Sequence, residues 1–331
     1  MADTFDREGY ARRLIEGGLS EADAYMLADK TAEARSRPAP ARQPDLLERF
    51  KERAGEIKQP DLGRQLFLPG FEDELRALPN HLARSSLFAP IQRGRREYHK
   101  RVELASRGDV RILFDGEQLD EADRDVFMQA LFEARKVPLG ERVYIDRAAF
   151  LRAIGRHGRG QWYKWLDGAC WRLFRGVLVV ETKRYRIGKP NGKREEWMSL
   201  VIVEAVDEVE GSEGGYYIRI DPRILALFGN CEYSLVDWGK RLQIERRPAM
   251  AKWLQCLVAT SDEPVQRYRL DDLKAWMAYT SPMRKFREAL LEALRELERL
   301  EIIAAPRIKQ GQRGQELAVW NRLNGSHFPV V

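Results

Sequence analysis

The sequence predicts an α+β protein in which two tandem domains, each with three helices and a β-hairpin, follow a flexible, partly helical N-terminal region. Two observations support this prediction. Apolar residues recur at helical spacing and are followed by β-branched runs with turn residues, and this order occurs twice, in 76–232 and in 233–323. The other predicted divisions are a helical element at 1–35, a linker at 36–75 and a tail at 324–331.

Length and composition fit a protein of two domains. The 331 residues are enough for each domain to bury a core. No stretch approaches the roughly twenty apolar residues of a membrane span, and the start MADTFDREGY lacks the pattern of a signal peptide, so we expect a cytoplasmic protein that contacts no membrane. Cys170, Cys231 and Cys256 lie far apart, which favours buried free thiols over a disulfide framework or a zinc site.

The N-terminal element and the linker differ in composition. Residues 4–35 contain two short helical stretches divided by Gly17-Gly18, and their apolar face is thin. Two interpretations stay open for this element: a docking or dimerisation element, or a partly ordered appendage. The prolines of SRPAPARQPD then predict a stiff, solvated tether.

The linker carries an apolar peptide, QLFLPGF, at 65–71. It resembles the Gln-Leu-x-Leu-x-Phe type of peptide by which bacterial proteins bind the DNA polymerase sliding clamp, although Pro69-Gly70 place the aromatic residue one position late. The clamp-binding residues that this resemblance implies are Gln65, Leu66, Leu68 and Phe71. The alternative is that the same side chains pack on the neighbouring domain.

Positive charge is concentrated in residues 155–194. This stretch holds eleven lysines and arginines against Asp167 and Glu181, a net charge of +9, whereas the whole chain has a formal net charge of +6. The rest of the chain therefore has a net charge of −3. Because neutralised phosphates release counterions, such a concentration of cations predicts a polyanionic partner.

A helix-turn-helix is predicted at the start of this stretch. Asp146 caps a short helix, GRHGRG forms the turn, and the next helix has an apolar stripe on one face. The stripe consists of Trp162, Leu166, Ala169, Cys170 and Leu173. The opposite face carries long hydrogen-bond donors that suit the base edges of a DNA groove. These donors are Gln161, Lys164, Arg172 and Arg175, with Arg159 in the turn before them.

A basic hairpin is predicted after this helix. The runs VLVVETKRYRI and EEWMSLVIVEAV are β-rich, and Pro190-Asn191-Gly192 between them is a turn sequence. The cations near its tip are Lys183, Arg184, Arg186, Lys189, Lys193 and Arg194. Three helices followed by a basic hairpin are typical of a winged helix, which would bind double-stranded DNA.

The second domain repeats this order with fewer cations. Its last helix is cationic only in its first turn, so only that end suits DNA, and the hairpin after it has a basic tip. The candidate DNA-binding residues of this domain are Arg284, Lys285, Arg287, Lys309 and Arg313.

Catalytic and cofactor motifs are not evident in the sequence. The segment GKPNGK lacks the spacing of a phosphate-binding loop, and the four histidines are isolated from one another. We therefore expect no enzymatic activity, no cofactor and no metal site.

With both domains and the tether in view, the chain resembles the TrfA family of plasmid replication initiators. The resemblance rests on four segments: FDREGYARRLIEGGLSEADA, ALPNHLARSSLF, GRGQWYKWLDGACWRL and RKFREALLEALREL. It implies two tandem winged helices that bind repeated origin sequences, called iterons, and help to open the adjacent AT-rich duplex. It also implies monomer binding in balance with inactive dimers, and three host partners: the initiator DnaA, the replicative helicase and the sliding clamp.

Single-stranded AT-rich DNA is a further partner under this interpretation, because aromatic residues near cations stack unpaired bases. Tyr163, Trp171 and Tyr185 are the candidates, with packing in the core as the alternative for each. Two other functions stay open. A winged-helix transcriptional repressor would use the same charges on an inverted repeat, and a structure-specific nuclease or relaxase would nick supercoiled DNA.

Overall fold

The computed structural model describes residues 6–16, 20–22, 24–26, 28–29, 68, 72–91, 96–206, 215–229, 232–311 and 314–323. Over these residues the fold is α+β, as the sequence predicts. No helix in this part of the chain is long and apolar enough to span a membrane.

The described N-terminal part contains a helical element and a mainly β segment. Helix α1 (Arg7–Glu16) comes first, and further helical residues lie between 21 and 29. The segment after it contains β1 (Leu75–Pro79), α2 (Asn80–Ala83), β2 (Phe88–Ala89), β3 (Tyr98–Leu104), β4 (Val110–Glu117) and β5 (Leu119–Asp120).

The first helical unit and its inserted strands follow. Its elements are α3 (Glu121–Ala134), β6 (Val143–Asp146), α4 (Arg147–Ala153), α5 (Gln161–Arg175), β7 (Val177–Thr182), β8 (Arg186–Ile187), β9 (Met198–Ser199), β10 (Ile202–Val206), β11 (Gly215–Arg219) and α6 (Leu225–Phe228). Short 3₁₀ helices cover Arg194–Glu196 and Pro222–Ile224.

A connector leads into the second helical unit. The connector comprises β12 (Tyr233–Asp237) and α7 (Trp238–Leu242). The second unit comprises α8 (Pro248–Ala259), β13 (Val265–Arg269), α9 (Leu270–Trp276), α10 (Met283–Arg299), β14 (Ile303–Gln310) and β15 (Glu316–Arg322).

Both units have the same topology. In the first, α3, β6, α4 and α5 precede the hairpin β10–β11, and the strand order is β10-β11-β6. In the second, α8, β13, α9 and α10 precede the hairpin β14–β15, and the order is β13-β15-β14. The last strand of each unit is central in its sheet and antiparallel to both neighbours. The recurrence of three helices and a hairpin predicted from the sequence is therefore present in the structure.

The predicted basic hairpin is wrong in its pairing. Strand β7 turns back at 183–185 and pairs with β8, because the Thr182 hydroxyl accepts hydrogen bonds from the Arg184 and Tyr185 amides at 3.2 and 3.0 Å. The later run EEWMSLVIVEAV is divided between two sheets: β9 pairs with β7, and β10 pairs with β11. Pro190-Asn191-Gly192 is a turn within the loop that connects β8 to β9. The basic strands thus belong to a five-stranded sheet of β3, β4, β7, β8 and β9, of which β7, β8 and β9 are inserted between α5 and β10. We call it the inserted sheet.

Two large apolar cores coincide with the two units. The first is built from α3, α5 and the inner face of the inserted sheet and extends to Trp238, and the second begins at Ile244. Cys256 and Ala259 of α8 nevertheless face the first core. Strand β12 also pairs with β1, so the change from one core to the other falls after Trp238 rather than at the predicted boundary between 232 and 233.

A buried ionic cluster joins α3 to the connector and to α8. Arg241 is fully buried and donates from Nε to Asp125 at 2.5 Å and from Nη2 to Glu121 at 2.9 Å. Lys252 donates to the second oxygen of Asp125 at 2.5 Å. Arg124, also fully buried, lies 3.0 Å from the other oxygen of Glu121. The two units are therefore held together by paired charges that are removed from water.

The N-terminal element packs on the second unit. Ala11 and Leu14 of α1, together with Ala24 and Ala28, form a small apolar cluster with residues of β13 and β15. Those strand residues are Val265 and Val319. Arg7 pairs with Asp29 across the element. The described residues of this element are therefore packed on the second unit.

Leu68 lies in the first core. Its side chain is only 4% exposed, which fits the alternative of packing on the neighbouring domain rather than an exposed clamp anchor. Burial of this apolar side chain in the core lowers its free energy relative to exposure to water. The other three predicted clamp-binding residues, Gln65, Leu66 and Phe71, lie outside the described residues.

Leu68→Ala is expected to lower the free energy of unfolding by about 2 to 5 kcal/mol, since it removes buried methyl groups and leaves a cavity. Urea denaturation measures this loss. The matched control is Leu242→Ala, because Leu242 is 41% exposed and its truncation should change stability by about 0.5 kcal/mol or less. A Leu68→Ala protein that unfolds like wild type but no longer binds a sliding clamp would establish the docking interpretation instead.

Candidate nucleic-acid interface

The turn between α4 and α5 depends on glycine. Asp146 caps α4 by accepting from the Ala149 amide at 2.6 Å. Gly160, immediately before α5, has a φ of 62°, and a Cβ on Gly158 would lie 2.9 Å from the Ala148 backbone. These positions favour a residue without a side chain, so GRHGRG fixes the entry of α5 as predicted.

Helix α5 has the two faces that its spacing predicts. Its inner face is buried through Leu166, Ala169, Cys170 and Leu173, and burial raises the pKa of the Cys170 thiol to about 12. Trp162 is half-buried at the edge of this face. The outer face exposes Gln161, Lys164, Trp171 and Arg175, and Arg159 is exposed in the turn before it. The guanidinium of Arg175 lies 5.0 Å from the Trp171 ring.

The structure corrects the predicted role of Arg172 as a DNA-binding residue. Its guanidinium donates to both carboxylate oxygens of Asp123, from Nη2 at 2.7 Å and from Nε at 3.2 Å, and its side chain is only 14% exposed. Asp123 itself is fully buried on α3. Arg172 therefore lies on the flank of α5 that packs on α3, and we remove it from the DNA-facing set.

Most of the predicted hairpin cations lie on the inserted sheet and the loop after β8. Several are held by exposed ion pairs: Arg184 with Glu232 at 3.2 Å, Arg186 with Glu181 at 2.7 Å and Lys189 with Glu196 at 3.2 Å. Lys183 and Lys193 are exposed as well. Because exposed pairs contribute about 0 to 1 kcal/mol, a phosphate can replace the carboxylate at modest cost.

Arg194 connects this loop to α5. Its guanidinium donates to the Arg175 carbonyl at the C-terminal end of α5 and lies 3.9 Å from Asp115. The basic surface on the outer face of α5 therefore joins the basic surface of the loop at this point.

The second unit exposes fewer cations. Arg284 is 82% exposed, Lys285 is exposed, and Arg287 pairs with Glu316 on β15. Lys309 is exposed near the end of β14, and Arg313 lies outside the described residues. The structure thus places three cations at the start of α10, as predicted.

The three aromatic candidates for base stacking differ in exposure. Trp171 is 44% exposed. Tyr163 is half-buried and donates its hydroxyl to the Gly158 carbonyl at 2.6 Å, which braces the turn before α5. Tyr185 is half-buried, and burial raises the pKa of its hydroxyl. Trp171 is therefore the aromatic of this set that a base can reach.

Sequence reasoning missed two arginines near these cations. Arg101 on β3 and Arg111 on β4 line a concavity with Arg186 and Lys189. The alternation of Arg111 with Val110 and Ile112 marks it as facing away from the core, but the sequence does not reveal which strand lies beside it. Among the described residues, no cluster of three His, Cys, Asp or Glu side chains could hold a metal ion.

Comparison with known proteins gives one family and one curated relative. A family model described as TrfA protein matches residues 28–309. The plasmid replication initiator protein TrfA of Escherichia coli is 25% identical over 203 residues, which is 60% of this chain and 50% of that protein. The chain thus spans about half the length of this curated relative.

Two solved structures of RctB domains 2 and 3 are also similar to the chain. One covers 72% of this chain and 95% of its own, with 14% identity and a TM-score of 0.43. A selenomethionine derivative covers 74% of this chain and 98% of its own, with the same identity and TM-score.

Proposed function

Because this chain belongs to the TrfA family, we propose that it is a plasmid replication initiator, a cytoplasmic and non-enzymatic protein that binds iteron repeats at a plasmid origin. The observation that carries this proposal is the outer face of α5. There Gln161, Lys164 and Arg175 are exposed between a glycine-fixed turn and the basic loop around Arg194.

The two repeated units are, in this proposal, winged helices. Each has a short helix before a longer one, α4 before α5 and α9 before α10, followed by a hairpin whose second strand is central. In a helix-turn-helix the second helix enters the major groove, and its N-terminal residues contact base edges. Lys164 in the first unit and Arg284 in the second lie in the first turn of those helices. We infer that the two helices contact one repeat together.

The proposal extends to duplex opening and to host proteins. We infer that the AT-rich region next to the repeats opens when the protein binds, and Trp171 is the exposed aromatic that favours an unpaired base. DnaA, the replicative helicase and the sliding clamp are the proposed host partners. Clamp binding by residues 65–71 would require Leu68 to leave the first core, so that contact is the costliest part of this proposal.

A footprint of the purified protein on the DNA that flanks its gene tests this function. We expect protection of several direct repeats beside an AT-rich stretch, and permanganate reactivity in that stretch on a supercoiled plasmid when the host initiator is present. Protection of one inverted repeat over a promoter, without permanganate reactivity, would identify a transcriptional repressor. Metal-dependent nicking of the plasmid would point to a nuclease.

Gln161→Ala and Lys164→Ala are each expected to weaken binding to the repeat by about 1 to 3 kcal/mol and to relax the preference at one base pair, because a base-edge contact is lost. Lys193→Ala should instead weaken binding to all sequences alike and reduce the salt dependence by about one phosphate contact. Fluorescence anisotropy at fixed salt measures each effect.

The matched control for these variants is Lys136→Ala, which removes an exposed cation, paired with Glu133 at 2.6 Å, from the turn after α3. Its affinity should equal that of wild type. If Gln161→Ala and Lys164→Ala also equal wild type, the assignment of α5 to the groove is wrong.

A further inference from the structure

The inserted sheet has an outer face that the two winged helices do not use. On this face Leu113, Val177 and Val179 form a small apolar cluster, which Trp197 covers. The loop from Gly188 to Trp197 crosses the sheet to reach that position. Gly188, with a φ of 77°, allows the crossing, because a Cβ there would lie 3.1 Å from Val179.

A basic hollow lies between this loop and the rest of the outer face. Its volume is about 840 Å³, within the range of ligand sites. The cations that line it are Arg101, Arg111, Arg186 and Lys189, with Glu181 as the carboxylate among them. The turn at 190–192 also lines it. The chemistry of the hollow is thus that of a site for a phosphate group.

Cross-strand pairing sets the floor of the hollow. Arg111, Glu181 and Arg186 are direct neighbours on β4, β7 and β8, and their side chains share the outer face. Glu181 pairs with both guanidinium groups, at 3.0 Å from Arg111 and at 2.7 Å from Arg186. One carboxylate therefore orients two arginines side by side, while Arg111 and Arg186 keep 47% and 64% of their side chains exposed.

Arg101 enters the hollow from an irregular position. The pairing of β3 with β4 shifts register between His99 and Val102, and Arg101 within this bulge has a φ of 52°. A left-handed conformation costs a residue with a Cβ on the order of 1 kcal/mol, and bulges redirect side chains. Here the result is that the Arg101 guanidinium lies 5.6 Å from the Trp197 ring, above the outer face.

The hollow is continuous with the proposed recognition helix. Arg175 ends α5, Arg194 donates to its carbonyl, and the loop then carries Lys193 and Lys189 to the hollow. From Val177 to Glu181 the strand advances about 13 Å, which is about four base-pair rises of DNA. A duplex held by α5 would therefore bring its flanking backbone, rather than the bases that α5 contacts, to this face.

We propose that the basic hollow binds the phosphodiester backbone of DNA that flanks the repeat contacted by α5. The proposal rests on the proposed function for the position of the duplex. The hollow contributes affinity, and it carries no base preference because its lining presents guanidinium and ammonium groups to the phosphates.

The test compares R101Q/R111Q with the matched control K136Q/R142Q, which removes two exposed cations held, like Arg111, in surface ion pairs. Two duplexes are used, the repeat alone and the repeat with about ten base pairs added on each side. Wild type and control should bind the longer duplex more tightly. R101Q/R111Q should lose this gain, and its slope of log affinity against log salt should fall by about 2.

Three further measurements decide the interpretation. R101K/R111K keeps both charges and should keep the gain. R101Q alone leaves the Arg111 pairs with Glu103 and Glu181 intact and should show about half the effect on the slope, which excludes unfolding of the sheet as the cause. If R101Q/R111Q and the control have equal gains and slopes, the hollow does not bind DNA. If the wild-type protein shows no preference for repeats, the proposed function is wrong. The salt slopes of wild type and R101Q/R111Q can then still be compared on a random duplex, so the role of the hollow is tested separately.

Discussion

Substitution of Arg241 by methionine is expected to lower the free energy of unfolding by about 3 to 5 kcal/mol, because each of two buried carboxylates loses one of its cationic partners. Methionine fills much of the same volume, so the loss reports the charge rather than a cavity. Glu121 would keep Arg124 at 3.0 Å, and Asp125 would keep Lys252 at 2.5 Å, but the guanidinium that bridges the two carboxylates would be gone.

The pH dependence of this loss of stability follows from the pKa values of the two carboxylates. Burial raises the pKa of Glu121, whereas Arg241 and Lys252 hold the pKa of Asp125 below its ordinary value despite its burial. The stabilisation from Asp125 is therefore present above its unfolded pKa and is lost as the pH falls through its folded pKa. Without Arg241 both folded pKa values rise. The difference between wild type and Arg241→Met should thus be largest near pH 7 and shrink as the pH is lowered toward 4.

Urea denaturation at pH 7 and at pH 4 measures both effects. The matched control is Arg142→Met, since Arg142 pairs with Glu204 at 2.9 Å but is 64% exposed, and its loss should cost about 1 kcal/mol or less. The triple variant Arg241→Met, Glu121→Gln, Asp125→Asn should recover part of the stability, because the unpaired charges are removed. An Arg241→Met protein as stable as wild type would show that this cluster does not hold the units together.

Local patterns predicted the helices well. The stripe of α5 through Leu166, Ala169, Cys170 and Leu173 is buried as expected. In α8, apolar residues at the same helical spacing form a buried face. That face contains Met250, Trp253, Leu254, Leu257 and Val258. Helical periodicity is a property of neighbours within about two turns, so the sequence contains the whole signal.

Strand pairing was harder to predict because the partner is distant. The run at 197–206 is rich in β-forming residues without a turn signal, yet Leu200 and Val201 divide it between two sheets. The hydroxyl of Thr182, which sets the actual turn after β7, is indistinguishable in the sequence from any surface threonine. The β-rich character of this region was correct, whereas the hairpin built from it was not.

Charge sign was likewise insufficient to assign roles to the cations. Lys164 and Arg172 lie two turns apart on α5 and share a predicted role, but Arg172 meets Asp123, which is 49 residues away in the chain. Arg241 meets partners more than a hundred residues away. For Leu68 the sequence leaves both clamp binding and packing on the neighbouring domain open, because the first core to which it belongs is assembled from residues far apart in the chain.

Arg172→Ala is expected to lower the free energy of unfolding by about 3 kcal/mol, since it leaves the buried Asp123 with fewer partners. Arg96 still donates to Asp123 at 3.0 Å, which keeps the loss below that of an isolated buried charge. The matched control lies three residues along the same helix. Arg175 is exposed, so Arg175→Ala should change stability by about 0.5 kcal/mol or less while weakening DNA binding.

The pH at which Arg172→Ala is measured distinguishes a structural role from a DNA contact. Burial, with a contribution from the Asp120 carboxylate, raises the pKa of Asp123 to about 6 against the pull of Arg172. A carboxyl group with a raised folded pKa stabilises the fold below its unfolded pKa, and that stabilisation is lost as the pH rises through about 6. Loss of Arg172 raises the pKa further, so the destabilisation should be small at pH 4 and grow up to pH 7.

A double-mutant cycle with Asp123→Asn completes this test. The amide carries no charge, so Arg172→Ala should cost less in the Asp123→Asn background, with a coupling energy of about 1 kcal/mol or more between the two positions. Any loss of repeat affinity in Arg172→Ala should then follow from loosened packing of α5 on α3 and be smaller than the loss in Arg175→Ala. The opposite result is that Arg172→Ala weakens repeat binding more than Arg175→Ala while its free energy of unfolding equals that of wild type at every pH. In that case Arg172 contacts DNA, and its bond to Asp123 does not position the helix.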